Sequence, residues 1–259
     1  MTVTVRQGPS PLVVSFPHVG TDIPDDIAAR MSGEALKLDD TDFEQPALYD
    51  FVAELGATTL TPRWSRLVID LNRPPDNAPL YPGQNGTGLI PLETFDGAPI
   101  YADPPTEAET AERLETFWRP YHEALSEALA TSIERHGYAL LWDAHSITGV
   151  VPRLFEGRLP DLNLGTADGK ACGPLVRAAA WAACEASDFT AVLDGRFKGG
   201  FITRNYGRPG WGIHALQMEL CKHTHLADDP PARIDPARAG RLRPVLQAAM
   251  TGALAAIEP

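Results

Sequence analysis

The segment YALLWDAHS at 138–146 is apolar for most of its length and then ends on Asp143, His145 and Ser146. A run this apolar, preceded by Gly137, needs burial on both sides, which a central strand of a parallel or mixed sheet provides. PLVVSF at 11–16 has the same character and stops at Pro17-His18, so a second buried strand delivers a histidine at its carboxyl end. ATTLTP (57–62), RLVIDL (66–71), AVLD (191–194) and IHALQMEL (213–220) read as further strands, and FITRNYG (201–207) as a strand and turn. In the IHALQMEL strand, Ile213, Ala215, Gln217 and Glu219 share one face.

Helical patterns alternate with these runs. Residues 24–37 read as a short helix after Pro24. In 45–55, Leu48, Phe51, Val52 and Leu55 have helical spacing, and Gly56 stands at a natural C-cap. The strongest helix spans 105–135, with Pro120 expected to kink or split it and Gly137 to close it. Residues 173–187 and 236–257 complete the set, the latter carrying Pro244, while 74–104 is rich in loops. Alternating strands and helices predict an α/β fold around a largely parallel or mixed sheet, with chemistry beyond the carboxyl ends of the strands. Neither repeats nor a linker interrupt the chain, so 1–259 is expected to be a single domain.

Charge and cysteine usage narrow the function. The net charge of −12 opposes nucleic acid and anionic membranes, so neither is expected as a partner. A small anionic substrate remains compatible if arginines gather locally. The three cysteines, Cys172, Cys184 and Cys221, lack CxxC spacing and read as buried thiols. The start of the sequence has no apolar leader pattern, and no stretch approaches the ~18 apolar residues of a membrane span. The expected compartment is the cytoplasm, and the expected state a monomer or small homo-oligomer.

His18 and His145 each end an apparent strand beside acidic residues. Either alone fits a hydrogen-bonded structural role; together they suggest a metal pair, since neutral imidazole is the commonest metal ligand. Asp22, Asp40 and Asp42 are the candidate carboxylates, although Asp40 and Asp42 also suit helix capping. Asp143 shares a strand face with His145 and could orient its ring. Glu219 sits in the apolar LQMELC segment, where it is either paired with a core arginine or a general base of raised pKa. Arg66 and Arg73 flank VIDLN, and Arg153, Arg196 and Arg204 stand in turns; several near strand ends resemble carboxylate receptors. Ser146 has no GxSxG context, and DGRFKGG lacks P-loop spacing. His122, His136, His223 and His225 read as solvated or structural, and His214 as either site-facing or capping.

The segments SFPHVGTDIP, DDTDFEQPALYDF, SRLVIDLNRPPDNAPLYPGQNGTGLIP, YALLWDAHSI, LPDLNLGT, GRFKGGFITRNYG and IHALQMEL resemble, in order, the N-formylglutamate amidohydrolase family over residues 15 to about 220. The resemblance implies a three-layer αβα sandwich with a mixed central sheet, zinc-carboxypeptidase-like (phosphorylase/hydrolase-like), and hydrolysis of N-formyl-L-glutamate to L-glutamate and formate in histidine degradation. It implies Zn2+, or another divalent metal, on His18 and His145, with Glu219 as general base. Asn72-Arg73 is similar to the Asn-Arg pair with which carboxypeptidases hold a substrate carboxylate, and Arg66 and Arg204 are expected to assist. The wider carboxypeptidase group supplies two ligands as His-x-x-Glu. Here the residue three after His18 is Thr21, so the third ligand comes from elsewhere, with Asp42 favoured over Asp40 and Asp22. Two rivals share parts of this pattern: a zinc-dependent deacylase or carboxypeptidase acting on another N-acyl acidic amino acid, and a non-catalytic protein that binds acidic metabolites.

Overall fold

The computed structural model describes residues 2–80, 83, 85–228 and 232–257. Its frame is a sheet of seven strands: β1 (Val3–Arg6), β2 (Leu12–Ser15), β3 (Thr58–Pro62), β4 (Ala139–Ile147), β5 (Leu162–Gly165), β6 (Ala191–Leu193) and β7 (Ile213–Cys221), in the spatial order β1-β3-β2-β4-β7-β5-β6. The three strands β2, β4 and β7 run parallel side by side at the centre, whereas β1 and β5 join antiparallel to β3 and β7. The fold is thus mixed α/β. All nine residues of β4 are buried, as its apolar composition requires.

Alternate side chains of β4 enter different cores. Leu140, Trp142 and Ala144 join a cluster with the helices α5 (Pro174–Glu185) and α7 (Pro236–Ala255). Ala139 and Leu141 join Tyr121, Leu125 and Leu129 of α4 (Arg119–His136) on the opposite side. Helices therefore cover both faces of the sheet. Asp143 and His145 project on the α4 side.

Several elements depart from the pattern-based expectation. RLVIDL is buried but pairs with no strand; the carbonyls of Leu67, Val68 and Leu71 accept from side chains, while Asp70 N–H donates to Leu89 O at 2.7 Å. FITRNYG is a helix, α6 (Phe201–Tyr206), not a strand and turn. Residues 24–37 yield only α1 (Asp25–Ala28) and a 3-10 turn at Ala35–Lys37. The 45–55 helix is broken into α2 (Gln45–Leu48) and a 3-10 turn at Asp50–Ala53, with Gly56 at φ 66°. The strands β1 and β5 lie in segments too short or too polar to announce themselves.

Pro120 does interrupt the long helix. A capping box at Thr106 starts α3 (Glu107–Arg113), a π-helical turn follows at Leu114–Trp118, and α4 continues to Gly137, whose φ of 80° closes it. Proline has no N–H to sustain the α ladder, and the wider turn just ahead of it absorbs the defect. Pro244, by contrast, sits inside a continuous α7. Between β3 and α3 the chain is loop throughout its described residues; Tyr81, Pro82 and Gln84 of that expected loop lie outside them. The three cysteines are buried and form no disulfide.

Candidate metal centre

The parallel strands β2, β4 and β7 point their carboxyl ends into one cavity. His18 lies three residues past β2, while His145 of β4 is directly opposite Glu219 of β7 in the register. Asp42 comes from the loop after the first 3-10 turn. Its backbone N–H donates to His18 O at 3.0 Å, and non-glycine residues with positive φ, Leu38 and Glu44, bracket it.

His18, Asp42 and His145 are all buried, each offering one ligand atom, and these atoms lie within 4.8 Å of one another. The ring tautomers follow from the partners. His18 Nε2 is 2.7 Å from Asp70 Oδ1, and His145 Nε2 is 2.9 Å from Asp143 Oδ2, so each Nε2–H donates to a carboxylate. Asn72 Nδ2 is also 3.1 Å from His145 Nε2, but an amide NH2 and a ring N–H are both donors and cannot pair. Both Nδ1 lone pairs therefore face inward, 3.2 Å apart. Asp42 Oδ2 stands 3.6 Å from His18 Nδ1 and 3.4 Å from His145 Nδ1. Both of its carboxylate oxygens are buried without a hydrogen-bond partner among the described residues.

Two lone pairs and a buried carboxylate repel one another unless a positive charge lies between them. The donor set of two imidazoles and one carboxylate matches that of a divalent cation such as zinc. This group could hold a metal ion. Of the three candidate carboxylates, only Asp42 joins it. Asp40 Oδ2 accepts from Phe95 N at 2.9 Å, and Asp22 pairs with Arg63 at 2.6 Å near the surface.

A second layer fixes the rings. Asp70 takes Arg66 Nη2 at 2.8 Å and Asn72 N at 2.8 Å. Burial works against its charge, but His18, Arg73 and Arg66 outweigh that and hold its pKa well below the ordinary value. Asp143 Oδ1 accepts from Ser15 Oγ at 2.9 Å, and Tyr121 Oη lies 2.9 Å from the same hydroxyl. Burial would lower the His145 pKa, yet Asp143, Asp42 and Glu219 raise it well above normal, so without a cation this ring would take a proton on the Nδ1 that a bound metal would use. Asp42 is held low by the two imidazoles despite burial. Glu219 behaves oppositely: burial pushes it up to about 8, Asp42 and Asp143 add to the rise, and His145 and Arg66 oppose it.

Arg66, Asn72, Arg73 and Arg196 line the cavity with Glu219 and Gln217. Arg66 stacks over Phe95 at 4.9 Å. Arg73 is anchored by Thr87 O at 2.7 Å and Thr87 Oγ1 at 2.8 Å. Asn72 Oδ1 accepts from Ile202 N at 2.8 Å, so its amide also ties α6 to the site. Arg204 does not line the cavity; because its segment is a helix, its Nε donates back to Gly199 O at 2.8 Å. His214 accepts from Gly173 N at 2.9 Å, away from the site. Asp70 and Gln217 were not foreseen as site residues. A carboxylate within the apolar RLVIDL run was the available signal for Asp70, as for Glu219.

Sheet, cavity and converging side chains define a mixed α/β protein with a buried group that could hold a metal ion. The N-formylglutamate amidohydrolase profile matches residues 10–226, and the chain belongs to that family. It is similar to the N-formylglutamate deformylase of Pseudomonas aeruginosa, 47% identical over 232 residues, covering 88% of this chain and 87% of the relative. The Pseudomonas putida deformylase is 46% identical, with 88% and 86% covered. The crystal structure of N-formylglutamate amidohydrolase from Ralstonia eutropha JMP134 superposes with a TM-score of 0.83 over 98% of each chain, at 26% identity. No helix among the described residues is long and apolar enough to cross a membrane.

Proposed function

We propose that this chain hydrolyses N-formyl-L-glutamate to L-glutamate and formate, using a divalent cation held by His18, Asp42 and His145. The donor set favours zinc. The reading extends to a zinc-carboxypeptidase-like fold and to a cytoplasmic enzyme of histidine degradation. One observation carries it: two inward imidazole lone pairs and a buried carboxylate without a hydrogen-bond donor meet beside a cavity lined by Glu219 and arginines. Family membership and the names of the Pseudomonas relatives support the substrate.

A cation bound there supplies Lewis acidity toward water and the formyl carbonyl. Asp70 and Asp143 keep the two imidazoles in the Nδ1-inward tautomer. Glu219, whose pKa burial raises and a neighbouring cation would lower, takes a proton from the attacking water in its carboxylate form. As the C–N bond breaks, Glu219 passes that proton to the departing amine. Arg73 and Asn72 hold a substrate carboxylate, and Arg66 faces the negative charge that develops on the carbonyl oxygen. Arg204 keeps no part in this scheme.

The test is an assay of the purified protein on N-formyl-, N-acetyl- and N-succinyl-L-glutamate, with and without a chelator, alongside bound-metal analysis. The proposal expects preference for the formyl substrate, loss of turnover on chelation and recovery with zinc. Full turnover in metal-free protein would reject the metal. A preference for acetyl or succinyl would move the enzyme to another acyl class.

A further inference from the structure

The 66–73 segment supplies Arg66, Asp70, Asn72 and Arg73, yet it has no strand partner. Side chains reach four of its carbonyls instead. Leu67 O accepts from Tyr101 Oη at 3.0 Å and Val68 O from Arg113 Nη1 at 3.0 Å. Leu71 O accepts from His122 Nε2 at 2.9 Å and Arg73 O from Trp118 Nε1 at 3.0 Å. Three of these four donors, Arg113, Trp118 and His122, come from the single α3–α4 rod.

The π-helical turn makes that possible. Arg119 N–H bonds to Leu114 O, five residues back, so one extra residue is accommodated. In a regular α-helix Arg113 and Trp118 would stand roughly 140° apart around the axis; one inserted residue reduces this to about 40°. Trp118 and His122 are already neighbours at i,i+4, and their rings stack at 3.7 Å and 28°. All three donors thus share one face. His122 Nδ1 is 3.0 Å from Tyr206 Oη, which fixes the ring from the far side. Neither Trp118 nor His122 lines the cavity.

We infer that Trp118 and His122, brought into line with Arg113 by the π-helical turn, are positioning residues that clamp the Leu71–Arg73 backbone and so aim Arg73 into the cavity. This rests on the reading that Arg73 holds a substrate carboxylate. Trp118 and His122 touch neither substrate nor cation, and they act by fixing the carbonyls on either side of Asn72.

Two full-length variants test the clamp. Trp118→Phe keeps an aromatic ring for the stack and loses the N–H; His122→Gln loses the stack and keeps a donor. For Trp118→Phe the KM for N-formyl-L-glutamate is expected to rise about fivefold, the factor for one lost hydrogen bond, with kcat within about twofold and zinc content unchanged. His122→Gln is expected to raise KM less. A merely structural role would lower the melting temperature and the active fraction, hence kcat, and leave KM alone; that outcome overturns the inference. Amide hydrogen exchange of residues 70–73, read without substrate, is expected to quicken in Trp118→Phe. Unchanged exchange also overturns it. That readout keeps its meaning if the wild-type protein fails to deformylate, in which case the proposed function falls separately.

Discussion

His18 Nδ1 and His145 Nδ1 face each other across 3.2 Å although the residues are 127 positions apart. Each ring has already committed its Nε2–H, to Asp70 and Asp143 respectively. Two buried carboxylates thus turn two lone pairs toward a third, an arrangement that could hold a metal ion, and the consequences can be measured.

Metal loading should stabilise the fold. At a free zinc concentration of about 1,000 times Kd, linkage gives roughly 4 kcal/mol, and a domain of this size then melts about 8–16 °C higher than when chelated. Calorimetry with and without chelator reads this. The Asp42→Asn variant should lose most of the difference, because neither oxygen of the carboxylate it replaces has a hydrogen-bond partner among the described residues.

Glu219→Gln should retain stoichiometric zinc while kcat falls about 100- to 10,000-fold, the usual size of a general acid–base contribution. Glu219 is absent from the His18–Asp42–His145 group. Near-normal kcat in a folded, metal-loaded variant would remove Glu219 from the mechanism.

Asp143→Asn should weaken zinc binding by about 10- to 100-fold, as losses of ligand-orienting carboxylates do. The amide can present either an oxygen or an NH2 to His145 Nε2, so the ring tautomer is no longer dictated. Competition with a chromogenic chelator measures the affinity, and Asp70→Asn should behave similarly through His18.

His122 makes stability sensitive to acid. Burial lowers its pKa from 6.5 to about 3, with the Leu71 carbonyl opposing the shift. The folded state then binds fewer protons than the unfolded state across that window. The stability is fully present above pH 6.5 and is lost as pH falls toward 3. By pH 4 the loss is about 3 kcal/mol, at ~1.4 kcal/mol per unit. Denaturant titrations from pH 7 to pH 4 should show a shallower decline for His122→Gln than for the wild type. Parallel declines would contradict a neutral, buried ring.

Much of this site was readable in the chain because it sits at the ends of strands. His18, His145 and Glu219 each follow or belong to an apolar run, and burial of a titratable group there demands a reason. Asp143 was legible from its two-residue spacing to His145. Asp42, favoured over Asp40 and Asp22, is the one that joins the two imidazoles, but spacing alone does not select it, since all three sit in loops whose path is set by tertiary contacts. RLVIDL misled for a related reason: its composition reports burial, but three of its carbonyls accept from Tyr101, Arg113 and His122, 34 to 51 positions further along the chain, and local pattern cannot see them. FITRNYG misled because β-branched and aromatic residues also occur in a short helix when a neighbouring amide, here Asn72, accepts from an N–H of its first turn.

The most direct test is anomalous scattering at the zinc edge from crystals of the zinc-loaded protein. We predict a single strong peak within about 2.0–2.2 Å of His18 Nδ1, His145 Nδ1 and an Asp42 carboxylate oxygen. An absence of signal between those three atoms in active crystals, or a metal seated on other residues, would contradict the account.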